Sequence, residues 1–357
     1  MKLYLHKDVY TSGLERLNSI YNHVDRVAIA YSGGKDSCVS MYLTLESIPK
    51  DKPVYIYFID KESNLISTRN YIEREYNRIS EKFPNVRLMW IALPLKEINA
   101  MSFNHPYWYC WDEKEREKWI YEPPKKDYVI TTKNNCLASY GYNPENKYIY
   151  GVINNYLSEK DKYKVMVVVG LRADESLNRY RAVTKYGHFG LDCITKVSDT
   201  VYNIYPIYDW DFRDVFKYIS DNNIELNPIY HKMWLKGIFK REMRISQSFA
   251  GVPKKTMPLY REMEPESFER FLNRVSGINS LTHIDLNYIK KISPQIQYDY
   301  LYECLPQVYK DALDKTNRNT KDTDTIKAIL NGDIRLKRKN KSVNNSEQIK
   351  KKWNEEL

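Results

Sequence analysis

Six consecutive residues, Ser32-Gly33-Gly34-Lys35-Asp36-Ser37, carry the most explicit chemistry in the chain. Two adjacent glycines let the backbone turn sharply and bring several N–H groups toward one point. A helical pattern starts directly after them, so the positive end of its dipole falls on the same spot and makes a site for a phosphate group. Lys35 adds a point charge; Ser32 and Ser37 add hydroxyl donors. Asp36 repels a phosphate, so its presence predicts either a Mg2+ ligand or an anchor that fixes the loop. A Gly-Gly turn with Ser37 as a helix cap is the structural alternative.

A second stretch, Val169-Gly170-Leu171-Arg172-Ala173-Asp174-Glu175-Ser176-Leu177-Asn178-Arg179, also follows an apolar run. A turn at the carboxyl end of a parallel strand places side chains over the crevice where α/β proteins bind ligands. Arg172 there offers a planar fork to phosphate oxygens. The plainer reading of Glu175 and Arg179 is an i,i+4 surface pair, a contribution of only ~0.2–0.5 kcal/mol.

The elements that must hold these residues alternate in type. Buried-strand patterns cover 26–31, 53–60, 86–93 and 164–170, and helix-period patterns cover 37–48 and 67–83. The order β-α-β-α-β predicts an α/β fold, a mostly parallel sheet with helices on both faces. Between about 99 and 150 the regularity lapses into an aromatic insertion containing His105-Pro106-Tyr107-Trp108-Tyr109-Cys110-Trp111. From Asp211 onward the pattern is mainly helical. The expected organisation is a nucleotide-binding domain at 1–225 that includes the insertion, a mainly helical domain at 226–330, and a basic tail at 331–357.

The length of 357 residues accommodates two domains, and 42% hydrophobic with 29% charged residues excludes disordered and collagen-like classes. No apolar run approaches the ~18 residues of a spanning helix, and the N-terminus is too short and polar for a secretory signal, so a cytoplasmic protein without membrane contact is expected. Five cysteines with no CxxC pair make a Cys-rich zinc or iron–sulfur site an unlikely design. The net charge of +10 favours polyanionic partners such as nucleotides or nucleic acid. In the tail Arg335, Lys337, Arg338, Lys339, Lys341 and Lys350 to Lys352 form basic runs, read either as a solvated end or as a nucleic-acid contact. The 32 tyrosines add stacking faces, although an A/T-rich coding bias produces the same excess.

Ser32-Gly33-Gly34-Lys35-Asp36-Ser37 resembles the SGGKDS form of the PP-loop, the mark of the ATP-pyrophosphatase and phosphoadenosine phosphosulfate (PAPS) reductase superfamily. Arg172, Glu175, Ser176 and Arg179 are similar to the GxRxxES-x-x-R signature of PAPS reductases. The resemblance implies that Ser32, Gly33, Gly34, Lys35, Asp36 and Ser37 hold a pyrophosphate or phosphosulfate group. It implies that Arg172, Glu175, Ser176 and Arg179 also bind the nucleotide, and that Lys35, Asp36 and Arg172 serve catalysis. Asp60 or Glu62, where the family ends its second strand, would meet ribose hydroxyls or a metal, or form only an acidic turn. Tyr205-Pro206-Ile207-Tyr208-Asp209-Trp210 and the helix after it resemble a further family segment, whose aromatics read as packing.

The same resemblance points to ATP or PAPS as ligand, with Mg2+ at Asp36 and no iron–sulfur cluster. Reductases of this family carry a reactive cysteine in an E-C-G-L-H context, which this chain lacks: Cys304 is followed by Leu305-Pro306. Cys136 is the remaining thiol to test, since reduction needs an exposed, low-pKa cysteine. The segments around Asn227-Pro228-Ile229-Tyr230, Arg244-Ile245-Ser246-Gln247-Ser248 and Glu264-Pro265-Glu266-Ser267-Phe268 look like the C-terminal domain of an IbrA-like subgroup, often paired with a ParB-like protein. The leading expectation is ATP cleavage between the α- and β-phosphates with adenylylation of an acceptor. The alternatives are a reductase with an atypical thiol and a non-catalytic regulator acting with a ParB-like partner or nucleic acid.

Overall fold

The computed structural model describes residues 6–278 apart from 103, 146–147, 185–186, 241–242, 246 and 251–256. The tail at 331–357, Cys304 and residues 279–330 of the expected second domain lie outside the described residues. Seven strands form one sheet: β1 (Arg26–Ala30), β2 (Val54–Ile59), β3 (Val86–Ile91), β6 (Val129–Ile130), β7 (Val165–Val169), β8 (Ile194–Lys196) and β9 (Val201–Ile204). A separate antiparallel pair joins β4 (Leu95–Ile98) to β5 (Tyr107–Cys110). The order of the main sheet is β6-β3-β2-β1-β7-β9-β8, parallel throughout except for the β8 edge.

The central strands are apolar over nearly all of their length because both of their faces are covered. Val27, Ala28, Ile29, Val54, Ile56, Val165 and Val168 are buried. Helices α1 (Val9–Asn18), α2 (Lys35–Ser47) and α6 (Phe212–Asp221) pack together, while α3 (Ile66–Lys82) packs on β3 and on α7 (Pro228–Leu235). The remaining helices are α4 (Ile149–Leu157), α5 (Leu177–Thr184), α8 (Met257–Met263) and α9 (Pro265–Arg274). The expected α/β class and the four strands read from apolar runs are present. Among the described residues no helix is long and apolar enough to cross a membrane.

The insertion is more structured than its sequence implies. Val129–Ile130 adds a parallel strand beside β3 with Trp90 opposite Val129, and β5 completes the small hairpin. The sequence reading also omitted β8 and β9, short strands that widen the sheet on its other side.

Helix beginnings differ in a way that matters for the site. Asp8 caps α1 by accepting from Thr11 N–H at 2.7 Å, and Asp211 and Asp214 form a reciprocal capping box on α6. Helix α2 instead begins at Gly34 with no side-chain cap from its own segment. Its leading amides are therefore open to groups from elsewhere.

Described residues after 225 pack on the loops at the carboxyl ends of the strands. Asn227 donates to Gly33 O at 3.0 Å and to Thr68 Oγ1 at 3.2 Å, and Ser248 donates to Ser63 O at 2.5 Å. Phe249, Phe268 and Phe271 belong to the same hydrophobic core as the sheet. The expected boundary at 225/226 is thus crossed by buried contacts.

Candidate nucleotide site

The sheet changes direction at β1. From β1 the chain winds outward through β2 and β3, whereas β7, on the other side of β1, opens the opposite half. Such a switch point leaves a crevice at the carboxyl ends of the two central strands. The glycine loop follows β1 and the Arg172 segment follows β7, so topology alone brings the two candidate stretches together.

Gly33 turns the loop at φ +72°, and a Cβ there would stand 2.8 Å from the Ile72 side chain. Both facts require glycine. Gly170 is equally constrained: a Cβ on it would lie 2.6 Å from Asp36 O and 2.7 Å from Ser37 Cα. The turn after β7 therefore rests directly on the first residues of α2. Inside the loop, Ser37 Oγ donates to Gly34 O at 3.0 Å and lies 3.0 Å from Ser32 Oγ.

Asp36 is held by a cation on each of its oxygens. Oδ1 accepts from Arg172 Nε at 2.6 Å and Oδ2 from Lys35 Nζ at 3.0 Å. With both oxygens held by cations, Asp36 is not arranged as a Mg2+ ligand. Among the described residues no three His, Cys, Asp or Glu side chains are grouped to hold a metal ion.

Lys35 and Arg172 are both buried. Lys35 is 1% exposed, and its ammonium donates to Met243 O at 3.0 Å as well as to Asp36. Burial pulls its pKa below the ordinary 10.5, against the opposing attraction of Asp36. Arg172 is fully buried, with Nη1 on Asp174 at 2.7 Å and Nη2 3.6 Å from Glu175. Its fork organises the acidic residues beneath the loop instead of standing open above the crevice.

Glu175 and Arg179 do form their i,i+4 ion pair, but in a cavity wall where the Glu175 side chain is only 4% exposed. Arg244 joins them, donating from Nη2 to Glu175 O at 3.0 Å. Burial first, then the charge of Arg244, lowers the pKa of Arg179. Ser176 is exposed and accepts from Arg179 N–H at 3.2 Å, a turn contact outside the cavity lining. Asp60 is fully buried, accepting from Arg69, from Trp90 Nε1 at 2.8 Å and from Glu62 N at 3.0 Å. Neither Ser176 nor Asp60 lines the cavity.

The cavity measures about 650 Å³ with its open mouth. Ser32, Gly34, Lys35, Asp36 and Ser37 form one side; Gly170, Glu175 and Arg179 form another. The third side, Tyr230, Arg244 and Ile245, had no role in the sequence reading. The Tyr230 hydroxyl accepts the Lys35 N–H at 2.9 Å and so supplies the cap that α2 lacks locally. Both segments stood out as sequence patterns, yet nothing in their spacing tied them to a loop about 200 residues earlier.

The thiols present a different picture. Cys38, Cys110 and Cys193 are buried; burial pushes Cys38 up to about 12, Cys193 to about 11 and Cys110 well above its ordinary value. Cys136 is exposed, but its pKa is also raised by burial of the thiol, and it does not line the cavity.

Residues 26–262 match the phosphoadenosine phosphosulfate reductase domain. The uncharacterized protein YbdN of Escherichia coli (strain K12) is 31% identical over 288 residues, 78% of this chain and 68% of the relative. Among solved structures, the FMN adenylyltransferase of Candida glabrata with FAD and inorganic pyrophosphate is 14% identical at a TM-score of 0.35, over 64% of this chain and 63% of that one. A phosphoadenylyl-sulfate reductase of Candida auris in a phosphate complex is 14% identical at 0.33, over 70% and 99%. At these scores the solved structures add nothing to the strand order already described. The matched span contains the glycine loop, the Arg172 turn and the third wall of the cavity, and the chain belongs to the phosphoadenosine phosphosulfate reductase domain family, PP-loop proteins with a nucleotide-binding fold.

Proposed function

We propose that the chain binds ATP with its phosphates against the PP-loop and transfers the adenylyl group to an acceptor. An acceptor nucleophile attacks the α-phosphorus, the bond between the α-phosphorus and the bridging oxygen breaks, and pyrophosphate leaves with that oxygen. The single observation that carries the reading is the cavity at the sheet's switch point, where the start of α2 meets Lys35, Arg179 and Arg244. Positioning and charge neutralisation would supply the rate, with no side-chain nucleophile required. Ser32, Gly33, Gly34, Lys35 and Ser37 bind the phosphates in this reading; Asp36 and Arg172 hold the loop in shape, and Glu175 orients Arg179.

The test is a turnover assay with ATP, Mg2+ in solution and a panel of acceptors, read as pyrophosphate release. Sulfite released from PAPS with a thiol donor would select the reductase reading instead. The raised pKa of every described cysteine argues against that alternative, because the thiolate is the attacking form. Tight nucleotide binding without product would select a regulator of the IbrA-like kind. A ParB-like partner comes from the subgroup resemblance, and the proposed contact with nucleic acid rests on the basic tail at 331–357. Truncation after Gly332 should then abolish that contact and leave nucleotide affinity unchanged.

A further inference from the structure

We infer that Tyr230 and Arg244 are ligands for the phosphate chain of the nucleotide, so that the segment after residue 225 forms the closing wall of the site. The inference rests on the proposed nucleotide reading and deepens it.

Tyr230 comes first. Its oxygen accepts the first amide hydrogen of α2, from Lys35 at 2.9 Å, and the ring lies 5.6 Å from the Lys35 ammonium. A phenol hydroxyl has one proton of its own to donate. No acceptor takes that proton among the described residues, although Tyr230 is 3% exposed and lines the cavity. The hydroxyl therefore passes the polarity of the helix start one group further into the cavity, where an anionic oxygen can accept. Gly34 belongs to the same arrangement, since a Cβ on it would stand 3.4 Å from the hydroxyl.

Arg244 is held only at its edge. Nη2 donates to the Glu175 backbone, while Nε is buried with no hydrogen-bond partner, 3.8 Å from Glu175 Oε1. Arg179 and Arg172 share that same carboxylate, so three guanidinium groups meet Glu175 at the cavity wall. Lys35, bonded to Met243 O next to Arg244, also lines the cavity. Buried donors left over in a cationic wall are satisfied by an anion of more than one charge, such as a diphosphate or triphosphate chain. The lowered pKa of Arg179, caused by burial and then by Arg244, accords with excess positive charge there.

The experiment titrates inorganic pyrophosphate and ATP separately into the parent chain, Gly34→Val, Tyr230→Phe and Arg244→Gln by calorimetry. Each of the last two should weaken both ligands at least about tenfold, the size expected for a lost hydrogen bond to a charged group. In the parent chain, pyrophosphate should also slow amide exchange across Pro228–Leu235, a readout that needs no variant. If the parent binds, Gly34→Val does not, and Tyr230→Phe and Arg244→Gln bind as the parent does, the closing wall is wrong while the PP-loop reading stands. Unchanged exchange at Pro228–Leu235 on saturation also overturns it. A parent that binds neither ligand overturns the nucleotide reading itself.

Discussion

Two clusters of acids and bases stand at the carboxyl ends of neighbouring strands, and they have opposite characters. At the end of β2, Glu62 accepts from Arg274 at 2.7 and 3.1 Å, from Trp111 N at 2.7 Å and from Ile120 N at 3.0 Å. Beside it Asp60 takes Arg69, whose guanidinium lies 5.0–5.5 Å from the rings of Trp90, Trp111 and Tyr121. Asp60 and Glu62 have no exposed surface, and aromatic rings wall the cluster off from water. At the ends of β1 and β7, by contrast, Asp36 and Glu175 hold Arg172, Arg179 and Arg244 beside an open cavity, with guanidinium nitrogens still lacking partners. A closed, matched cluster fixes the fold; an open one with surplus donors awaits an anion. Residue types alone do not separate the two cases, whereas the degree to which each group is satisfied does.

The sharpest way to break the contrast is at Arg274. Arg274→Ala strands Glu62 without its counter-charge and should destabilise the fold by ~3–5 kcal/mol, measured by denaturant unfolding. In any variant that stays folded at low temperature, nucleotide affinity should change little. A small stability loss with a large affinity loss would show that the two clusters have been assigned the wrong way round.

Lys35→Ala comes next in size because Lys35 has a part in both functions. Removing a buried ammonium that holds Asp36 and Met243 O should lower the midpoint of thermal unfolding and weaken ATP binding at least about tenfold. An effect on binding with none on stability would leave Lys35 with only the phosphate-binding role that its sequence suggested.

Replacing all five cysteines by Ser or Ala should leave pyrophosphate formation within about threefold of the parent, provided the variant stays folded, because the described thiols are raised in pKa and lie off the cavity. Loss of turnover in a folded variant would restore a thiol mechanism, starting from Cys136.

The smallest expected effect is on pH dependence. A lysine whose pKa is depressed is charged below that pKa and neutral above it, so anion affinity should fall as pH rises, beginning below the ordinary lysine value of 10.5. A pyrophosphate titration across alkaline pH reads this directly. An affinity constant up to 10.5 would remove Lys35 from the electrostatics of the site.

How much of this was legible in the chain depended on the range over which each feature is determined. Val54–Ile59 and Val165–Val169 are local apolar runs, and the glycine turn is determined by its own six residues, so these read correctly. Val129–Ile130 is two residues long and has no period to detect; its strand exists because Trp90 and Ile91 offer an edge. The i,i+4 relation of Glu175 to Arg179 was visible, but its location in a cavity was not, because the cavity needs Arg244. Tyr230 meets Lys35 across 195 positions and Met243 meets it across 208, separations at which only tertiary packing determines a contact. Arg172 shows the same limit from the other side: its type suits phosphate, and its burial follows from Asp36 and Asp174 closing around it.

The close approach at Gly170 joins two walls of the cavity. With the turn after β7 seated on the first residues of α2 and no room for even one methyl group between them, those two walls move as one rigid piece. The third wall, Tyr230, Arg244 and Ile245, meets them through separate hydrogen bonds: Lys35 donates to the Tyr230 hydroxyl and to Met243 O, Asn227 donates to Gly33 O, and Arg244 donates to Glu175 O. A single added methyl group at position 170 would press on both walls at once, so Gly170→Ala should distort the glycine loop and the turn after β7 together.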